Sequence, residues 1–455
     1  MVSEPRRNAV STLVEPERRV EVLGEYEVVV LGGGPAGIAA AVAAAQAGRT
    51  TILIERYGFL GGMGTAAGVT NFCGLHATVH GEMRTVVHGV ADALLDRIDR
   101  LGGLNAPHKV MNRIMAQAYD VSAYKAAADD LLLSHGVHLL FHAVGAGVVM
   151  AADGVVDALL VETKSGRRAI RGGVFVDASG DGDLAAWAGA PFEKGDGRGN
   201  LLFPSMMFRV NGVDPARAGD IWREVDRLMQ EAEARGEFRF PRKGAVLRPQ
   251  KRAIEWRVNI TQQRNPDGSA VDGTDAASLS HGEIEGRRQA FEILRFLRTL
   301  PGFEDCYIVE IGPQVGIRET RRIVGDYQLS ESDVLDAASF ADTVGVNGWP
   351  VEAHLDGAVV YRWHSDPQGR GFNHLPYRMI LPKGVDNLLV AGRCASMTHE
   401  GQSAARVTGA CFVMGQAAGT AAALALDRAV APRDLAVAQL QRRLEADGAY
   451  LGTQW

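Results

Sequence analysis

Four glycines within six residues constrain the fold of this chain more than any other feature of its sequence. The segment Gly32–Gly37 (GGGPAG) follows a short, β-branched apolar run, Tyr26–Leu31, and opens an alanine-rich stretch with the composition of a helix. A second apolar run of the buried-strand type follows at Thr50–Glu55. The order strand, glycine turn, helix, strand predicts a βαβ unit of a parallel sheet with a right-handed crossover, in which the turn binds the diphosphate of a dinucleotide.

Each residue of the turn has a stereochemical reason to be there. Gly32 permits a tight turn, Gly34 lets the backbone approach a diphosphate, and Gly37 lets the helix pack closely on the strand. Pro35 suits the first turn of a helix, where its missing N–H is not needed, and Ala36 follows it. The free N–H groups and the dipole of this helix would then bind the diphosphate, so these five residues are predicted cofactor contacts.

The residues after the second strand indicate which dinucleotide is bound. Glu55 ends that strand, 18 residues after Gly37, where its carboxylate can accept hydrogen bonds from a ribose. A glycine-rich segment, RYGFLGGMGT at residues 56–65, follows at once. A simple NAD domain would usually continue into another helix, whereas the elongated FAD needs a backbone path toward its flavin. The predicted cofactor contacts in this path are Arg56, Gly61, Gly62, Met63 and Thr65.

In these segments the sequence resembles the FAD-dependent oxidoreductases of the glutathione-reductase-like (two-dinucleotide-binding-domain) flavoprotein superfamily. Further blocks carry the resemblance along most of the chain. They are Val176–Asp183 (VDASGDGD), Gly316–Arg322 (GIRETRR), Leu375–Arg378 (LPYR) and Asn387–Cys394 (NLLVAGRC), which leads to Gly415–Gly419 (GQAAG). The resemblance implies bound FAD but no particular substrate. The residues that it places beside the cofactor are Gly180, Asp181, Gly392 and Arg393.

The last of these blocks also has a physical interpretation of its own. A strand ends at Ala391, Gly392 allows a close backbone approach, and a helix is predicted to begin near Gln402. The N-terminal dipole of this helix would stabilise negative charge at the pyrimidine edge of a reduced flavin. The predicted cofactor contacts here are Ser403, Ala404 and Arg406. The alternative is a helix whose small residues pack on protein and do not contact a cofactor.

The character of the sequence changes in the middle of the chain. From about Phe203 to Glu352, charged helical stretches alternate with polar loops, and the buried-strand pattern returns at Asn387–Ala391. The predicted fold class is α/β: a Rossmann-like FAD-binding domain assembled from N- and C-terminal segments, with an inserted α+β substrate domain. The predicted ranges are an N-terminal arm (1–24), the first part of the FAD-binding domain (25–202), the inserted domain (203–357), and the second part of the FAD-binding domain with C-terminal helices (358–455).

Three histidines and one arginine are the candidate catalytic residues. His354 and His374 flank the predicted return of the chain from the inserted domain, and His399 precedes the predicted flavin helix. Histidine titrates near neutral pH, so each can accept the proton released when a hydride leaves a substrate. Arg318 is a candidate anchor for a carboxylate or for the flavin. The alternatives are hydrogen-bonded structural histidines and, for Arg318, a solvated charge.

The composition argues against several other classes of protein. The formal net charge is −6 and no long basic tract occurs, which disfavours nucleic acid and anionic membrane as partners. The four cysteines form no CxxC pair, which disfavours a structural zinc site or a disulfide framework and fits a cytoplasmic location, and no other metal site is predicted. Val28–Gly48 and Val407–Leu426 are uncharged and about as long as a membrane span. Both are rich in glycine and alanine, so we interpret them as buried.

The predicted activity is hydride transfer between a small organic substrate and flavin N5, at a C–OH, C–N or C–C bond. No second GxGxxG has a strand–turn–helix context, so the electrons are expected to pass to an external acceptor: oxygen, a quinone-like molecule or a protein. Three alternatives stay open, and so does assembly into a homo-oligomer. The alternatives are an NAD-dependent dehydrogenase, a flavoprotein electron-transfer subunit, and an FAD enzyme with non-redox chemistry, such as a hydratase or isomerase.

Overall fold

The structure is a computed structural model that describes residues 12–110, 113–366 and 368–453. Residues 1–11 of the predicted N-terminal arm therefore lie outside the described residues. Residues 12–20 have no regular secondary structure and are mostly exposed, and the first strand begins at Glu21. The strand starts before the predicted Tyr26, because its first residues pair with residues 168–172 of a later strand. It thus takes in the last four residues of the range predicted for the arm.

The described residues form 22 strands and 12 α-helices, numbered in chain order. The strands are β1 (Glu21–Leu31), β2 (Thr51–Ile54), β3 (Asn71–Cys73), β4 (His76–Val79), β5 (Glu82–Thr85), β6 (His108–Val110), β7 (Ile114–Ala118), β8 (His138–Leu140), β9 (Val144–Ala152), β10 (Val155–Thr163), β11 (Gly166–Asp177), β12 (Phe192–Glu193), β13 (Phe208–Asn211), β14 (Val246–Pro249), β15 (Trp256–Asn259), β16 (Tyr307–Ile311), β17 (Arg322–Ile323), β18 (Thr343–Asn347), β19 (Val351–Leu355), β20 (Ala358–Arg362), β21 (Asn373–Pro376) and β22 (Leu388–Val390). The helices are α1 (Pro35–Gln46), α2 (Met63–Ala66), α3 (Val90–Arg100), α4 (Val121–Ser134), α5 (Asp183–Trp187), α6 (Pro215–Ala218), α7 (Val225–Ala234), α8 (Ala276–Leu297), α9 (Glu331–Leu335), α10 (His399–Ala405), α11 (Thr408–Arg428) and α12 (Val437–Ala446).

The main sheet has the order β8-β2-β1-β11-β10-β9, and β22 pairs with the C-terminal end of β11. β8, β2, β1, β11 and β22 are parallel, whereas β10 and β9 add an antiparallel meander. Residues 28–31 in β1 are all buried, which explains their unbroken apolar run. Segments from distant parts of the chain meet in this sheet, since Phe175 on β11 lies opposite Leu388 on β22.

Helices α1 and α11 pack on the central strands and against each other. A methyl group added at Gly415 would lie 2.1 Å from the carbonyl oxygen of Ala36, and one added at Gly419 would lie 2.0 Å from that of Ala40. The two backbones therefore touch through glycines about one helical turn apart. By length and composition α11 is apolar enough to cross a membrane, but 83% of its apolar window is buried inside the protein. Close helix packing thus explains its small-residue composition.

A second hydrophobic core lies in the middle of the chain. β14, β15, β13 and β16 form an antiparallel sheet, and side chains of α7 and α8 join the same core. Within β15, Trp256 and Val258 belong to this core, whereas Arg257 and Asn259 line a cavity on the other side. The whole core lies within the predicted range 203–357. The exact boundaries of the inserted domain stay predictions.

Candidate functional site

A cavity of about 1510 Å³ begins at the glycine turn and extends to residues of β15 and β19. Its lining residues come from the main sheet, from the second sheet, from the three-stranded sheet β3-β7-β6 and from the segments between them. Pockets for small ligands usually measure about 300–1,000 Å³. This cavity therefore has room for a dinucleotide together with a small substrate.

The glycines of the turn have different neighbours. A methyl group added at Gly32 would lie 2.4 Å from the carbonyl oxygen of Ala178. One added at Gly37 would lie 1.8 Å from the carbonyl oxygen of Gly32. Protein packing alone thus requires glycine at both positions. At Gly34, by contrast, an added methyl group would meet only the Gly62 Cα, at 3.7 Å. Gly34 lines the cavity and has no side chain to cap α1, so its open space fits a ligand bound at the N-terminus of that helix.

Glu55 fixes the glycine turn from the end of β2. Its Oε2 accepts a hydrogen bond from the Gly33 N–H at 2.7 Å, and its Oε1 accepts one from the Tyr57 N–H at 2.9 Å. Burial raises the pKa of Glu55, and these two hydrogen bonds oppose that rise. Each oxygen retains a second lone pair, and the side chain lines the cavity. The carboxylate can therefore accept hydrogen bonds from a ribose, and the ribose contact itself stays a prediction.

The segment that follows Glu55 divides into residues that line the cavity and residues that support it. Among the described residues, the lining ones are Arg56, Gly62 and Met63, together with Pro35 and Ala36 of the turn. Gly61 and Thr65 lie behind them. The Gly61 N–H donates to the Gly33 carbonyl oxygen at 2.8 Å, and the Thr65 hydroxyl donates to the Leu60 carbonyl oxygen at 2.6 Å. These two residues therefore shape the loop and do not face the cofactor space.

Two further strand ends reach the same cavity. Gly180, after β11, and Gly392 and Arg393, after β22, all line it. Asp181 lies behind them: it accepts hydrogen bonds from Arg393 Nη2 at 2.8 Å and from the Thr320 hydroxyl at 3.0 Å. Asp181 thus orients Arg393, and its predicted role as a direct cofactor contact stays a prediction.

The predicted flavin helix starts earlier than expected and packs on protein. α10 begins at His399, because the Thr398 hydroxyl accepts a hydrogen bond from the Gly401 N–H at 3.1 Å and caps the helix. Ser403 and Ala404 are fully buried and are not cavity residues in the part of the chain that the structure describes. The packing alternative is therefore the better description of this helix. Arg406, at its C-terminal end, does line the cavity and donates to the Glu352 carbonyl oxygen at 3.0 Å.

Two of the three candidate histidines are held by protein partners away from the cavity. Nδ1 of His399 pairs with the buried Glu319 carboxylate at 2.9 Å, and Glu319 also binds Arg322. His374 accepts a hydrogen bond at Nδ1 from the Phe340 N–H at 3.1 Å, and its Nε2 donates to the Gly452 carbonyl oxygen at 3.3 Å. Neither histidine is among the described residues that line the cavity. Both ring nitrogens of His374 and Nδ1 of His399 thus bind protein partners, which does not favour either residue as the proton acceptor.

His354, on β19, does line the cavity. Its Nε2 donates to Glu352 Oε1 at 2.9 Å, and its Nδ1 accepts a longer hydrogen bond from Arg242 at 3.3 Å. Burial, and then the charge of Arg318, lower the pKa of His354 well below its usual range. Arg318 also lines the cavity and donates to the Phe203 carbonyl oxygen at 2.8 Å. His354 is thus a neutral imidazole with a carboxylate on one side and guanidinium groups on the other.

Sequence reasoning missed several residues of this site. Glu352 accepts hydrogen bonds from His354 and, at 2.8 Å, from the Trp349 indole N–H. Burial favours its neutral form, but these hydrogen bonds and the charge of Arg406 lower the pKa of Glu352. The other missed residues are Arg242, Arg257 and Tyr361. One signal was available: Arg257 alternates with the apolar Trp256 and Val258 along β15, so it had to face away from their core.

The strand–turn–helix unit and the cavity define a dinucleotide-binding enzyme. Residues 27–444 match the model of the FAD dependent oxidoreductase family, and the chain belongs to that family. It is an FAD-dependent oxidoreductase, and FAD is its cofactor. The described residues contain no group of three or more His, Cys, Asp or Glu side chains that could hold a metal ion.

Several solved structures are similar to this chain over most of its length. They include a geranylgeranyl bacteriochlorophyll reductase-like protein from Thermoplasma acidophilum, with 15% identity, coverage of 93% of this chain and 83% of that chain, and a TM-score of 0.44. The p-nitrophenol 4-monooxygenase of Pseudomonas putida has 14% identity, coverage of 94% and 84%, and a TM-score of 0.46. A myxobacterial chondrochloren halogenase has 13% identity, coverage of 93% and 78%, and a TM-score of 0.45.

Proposed function

We propose that this FAD-dependent oxidoreductase oxidises or reduces a small organic molecule at a C–OH, C–N or C–C bond, in the part of the cavity next to His354. When bound, FAD supplies the redox chemistry by exchanging a hydride with the substrate at its N5 atom. The observation that carries the proposal is the continuity of the cavity. Gly34 and Glu55, which fit the cofactor, line the same cavity as His354 and Arg318.

His354 is the proton acceptor in this proposal. Its Nε2 donates to Glu352, which fixes the ring and leaves Nδ1 as the only nitrogen with an available lone pair. Nδ1 accepts its hydrogen bond from Arg242 at 3.3 Å, a long distance, so a substrate group can replace that donor. Glu352 then stabilises the imidazolium that forms when Nδ1 takes up a proton.

Arg318 orients the substrate. Nη1 of Arg318 is fixed by the Phe203 carbonyl oxygen and by the Ser205 hydroxyl, at 2.8 and 2.9 Å. Among the described residues, no acceptor binds its Nε or Nη2. The three N–H bonds on these two nitrogens are free to donate to a carboxylate or carbonyl group of a substrate. Arginine stays charged, so it holds the substrate and leaves proton transfer to His354.

The wider context of the reaction is also a proposal. The sequence shows one dinucleotide turn, so oxygen, a quinone-like molecule or a partner protein would exchange electrons with the flavin. The resemblance in the glycine turn and in the residues after β11 and β22 supports membership of the glutathione-reductase-like superfamily. We also propose a cytoplasmic location, on the basis of the cysteine pattern.

Anaerobic reduction of the bound flavin tests the proposal. Purified FAD-loaded protein is mixed without oxygen with candidate substrates, and loss of visible flavin absorbance is followed. His354→Ala should slow bleaching by about a hundredfold or more while FAD stays bound. His374→Ala is the matched control, because His374 lies outside the described cavity, and it should bleach at the wild-type rate. Substrate conversion without net flavin reduction would instead support the hydratase or isomerase alternative.

A further inference from the structure

The charge of the cavity wall is opposite to that of the whole chain. The chain has 48 Lys and Arg residues against 54 Asp and Glu. The cavity is lined by ten Lys and Arg residues and only four Asp and Glu. Two of those acids, Glu55 and Asp183, lie at the cofactor end beside Arg56. The excess of positive charge is therefore concentrated beyond the cofactor residues, where the substrate would bind.

Three of these arginines are almost completely buried: Arg242, Arg257 and Arg318 are 3%, 6% and 6% exposed. In the ranges 12–110, 113–366 and 368–453, none of the three forms an ion pair with a carboxylate, although Glu352 in the same cavity acts on all three at longer range. Their hydrogen-bond acceptors are neutral: carbonyl oxygens, a serine hydroxyl, an asparagine and a histidine. Burying an unpaired charge is costly, and buried charges in proteins are normally paired. The missing counter-charge is what a ligand would supply.

The cations fall into two groups along the cavity. At the inner end, Arg242 and Arg406 repel Arg318, and this repulsion adds to burial in lowering the pKa of Arg318. Nearer β14, Arg248 is close enough to Arg257 for the same effect, and burial with this repulsion lowers the pKa of Arg248 to about 10. Among the described residues, the acids of this part of the cavity are Glu352 and Asp226, and Asp226 acts on Arg242 and Arg248. His354 and Trp349 already bind the carboxylate of Glu352.

The arginines nearer β14 are also held rigidly, by an aromatic ring. The guanidinium carbon of Arg248 lies 4.0 Å from the centre of the Trp222 ring, and that of Arg223 lies 4.7 Å from the same ring. Stacking on an aromatic ring fixes the plane of a guanidinium group. A planar guanidinium fork of this kind matches a planar carboxylate through two parallel hydrogen bonds.

We infer that the substrate is an organic anion with at least two carboxylates, one held by Arg242 and Arg318 and the other by Arg248 and Arg257. The inference rests on the proposed function, since it names the class of molecule that occupies the substrate part of the same cavity. Two carboxylates offset both groups of cations at once. A neutral substrate would leave these four guanidinium groups with Glu352 and Asp226 as the only acids in this part of the cavity, as far as the described residues go.

Ligand binding to the FAD-loaded protein tests this inference without turnover. Thermal stability and the flavin difference spectrum are recorded in low-salt buffer with straight-chain dicarboxylates from succinate to suberate. The matching monocarboxylates, the dimethyl esters and inorganic phosphate are the comparison ligands. At least one dicarboxylate should bind about tenfold or more tightly than its monocarboxylate, and the neutral diester should not bind.

Single substitutions test which arginines bind each carboxylate of the ligand. Arg242→Gln and Arg248→Gln should each lower the affinity for the most tightly bound dicarboxylate by about tenfold or more. Only one of the two substitutions should lower the affinity for the matching monocarboxylate. Arg295→Gln, an exposed change on α8, is the control and should leave all affinities unchanged. Each variant must retain FAD. If Arg242→Gln does not fold, Arg248→Gln decides the question, because Arg248 is only half-buried.

Two results would overturn the inference: no dicarboxylate binds more tightly than its monocarboxylate, or inorganic phosphate binds more tightly than every carboxylate. Failure of the proposed function looks different. If dicarboxylates bind but do not bleach the flavin, the inference about the ligand class is supported and the proposed function is contradicted. If a neutral substrate bleaches the flavin and the bleaching depends on His354, the proposed function is supported and the inference of a dicarboxylate substrate is wrong.

Discussion

At the scale of single residues, the glycine turn separates positions that the fold requires from one that the cofactor requires. Gly34 has extended backbone angles, φ −74° and ψ −178°, which alanine also adopts, and its missing side chain leaves open space. Gly34→Ala should therefore fold normally and lose FAD. Overpacking a close contact costs about 1–3 kcal/mol, which corresponds to a roughly five- to 150-fold loss of FAD affinity. Titration of the FAD-free protein with FAD measures this loss.

Gly37→Ala is the matched comparison for that experiment. The added methyl group would lie 1.8 Å from the Gly32 carbonyl oxygen, so the substitution should destabilise the FAD-free protein itself. Wild-type FAD affinity in Gly34→Ala would show that the diphosphate does not approach this residue, and the turn would then be structural only.

His354 gives a second prediction at the residue scale. Its pKa is lowered by burial and by Arg318, so the unprotonated, proton-accepting form is lost only as the pH falls through this lowered value. At low substrate concentration, the second-order rate constant for anaerobic flavin reduction should thus stay level from about pH 8 to below about pH 6.5. A rate that depends on His354 and already falls above pH 6.5 would contradict this picture of the site.

At the scale of secondary-structure elements, the contact between α1 and α11 positions the glycine turn. Gly419→Ala would place a methyl group 2.0 Å from the Ala40 carbonyl oxygen, so the two helices would have to separate. We expect a loss of at least about 1–3 kcal/mol in the free energy of unfolding of the FAD-free protein. Urea unfolding measures it, with Gly34→Ala as a control that adds the same methyl group in open space. Equal stability of the two variants would mean that α11 can shift without cost.

The same scale shows what the sequence could predict. Local patterns identified β1, the glycine turn, α1 and β2, because unbroken apolar runs and glycines report directly on buried parallel strands and tight turns. The cavity wall was harder to predict. His374 and His399 have the same residue type as His354, and only tertiary contacts show that their ring nitrogens bind Gly452 and Glu319. The role of Glu352 was likewise hidden, because its partners are set by the pairing of β19 and by packing around it.

At the scale of the whole molecule, two cores share one cavity and contribute different chemistry to it. The main sheet supplies backbone groups and strand ends that fit a dinucleotide, whereas the second sheet supplies Arg248 and Arg257. A net negative chain thus encloses a positive cavity. Such a field concentrates anions at the site.

Because the two cores contribute different residues to the cavity, we expect FAD to slow amide hydrogen exchange in one part of the protein and not in the other. A ligand that binds only the native state adds about 2.7 kcal/mol at one hundred times its Kd, so amides that open only when it leaves should exchange about a hundredfold more slowly. We expect FAD to protect residues 32–37 and 56–65, which form the cofactor end of the cavity, and to leave the exchange of α8 nearly unchanged. The experiment compares FAD-free and FAD-loaded protein by mass spectrometry of peptides. Gly34→Ala at the same FAD concentration is the control, and its protection at both segments should fall roughly in proportion to its loss of FAD affinity. Equal protection of α8 and of the glycine turn would show that the cofactor stabilises the molecule as one cooperative unit, and the two cores could not then be assigned separate roles.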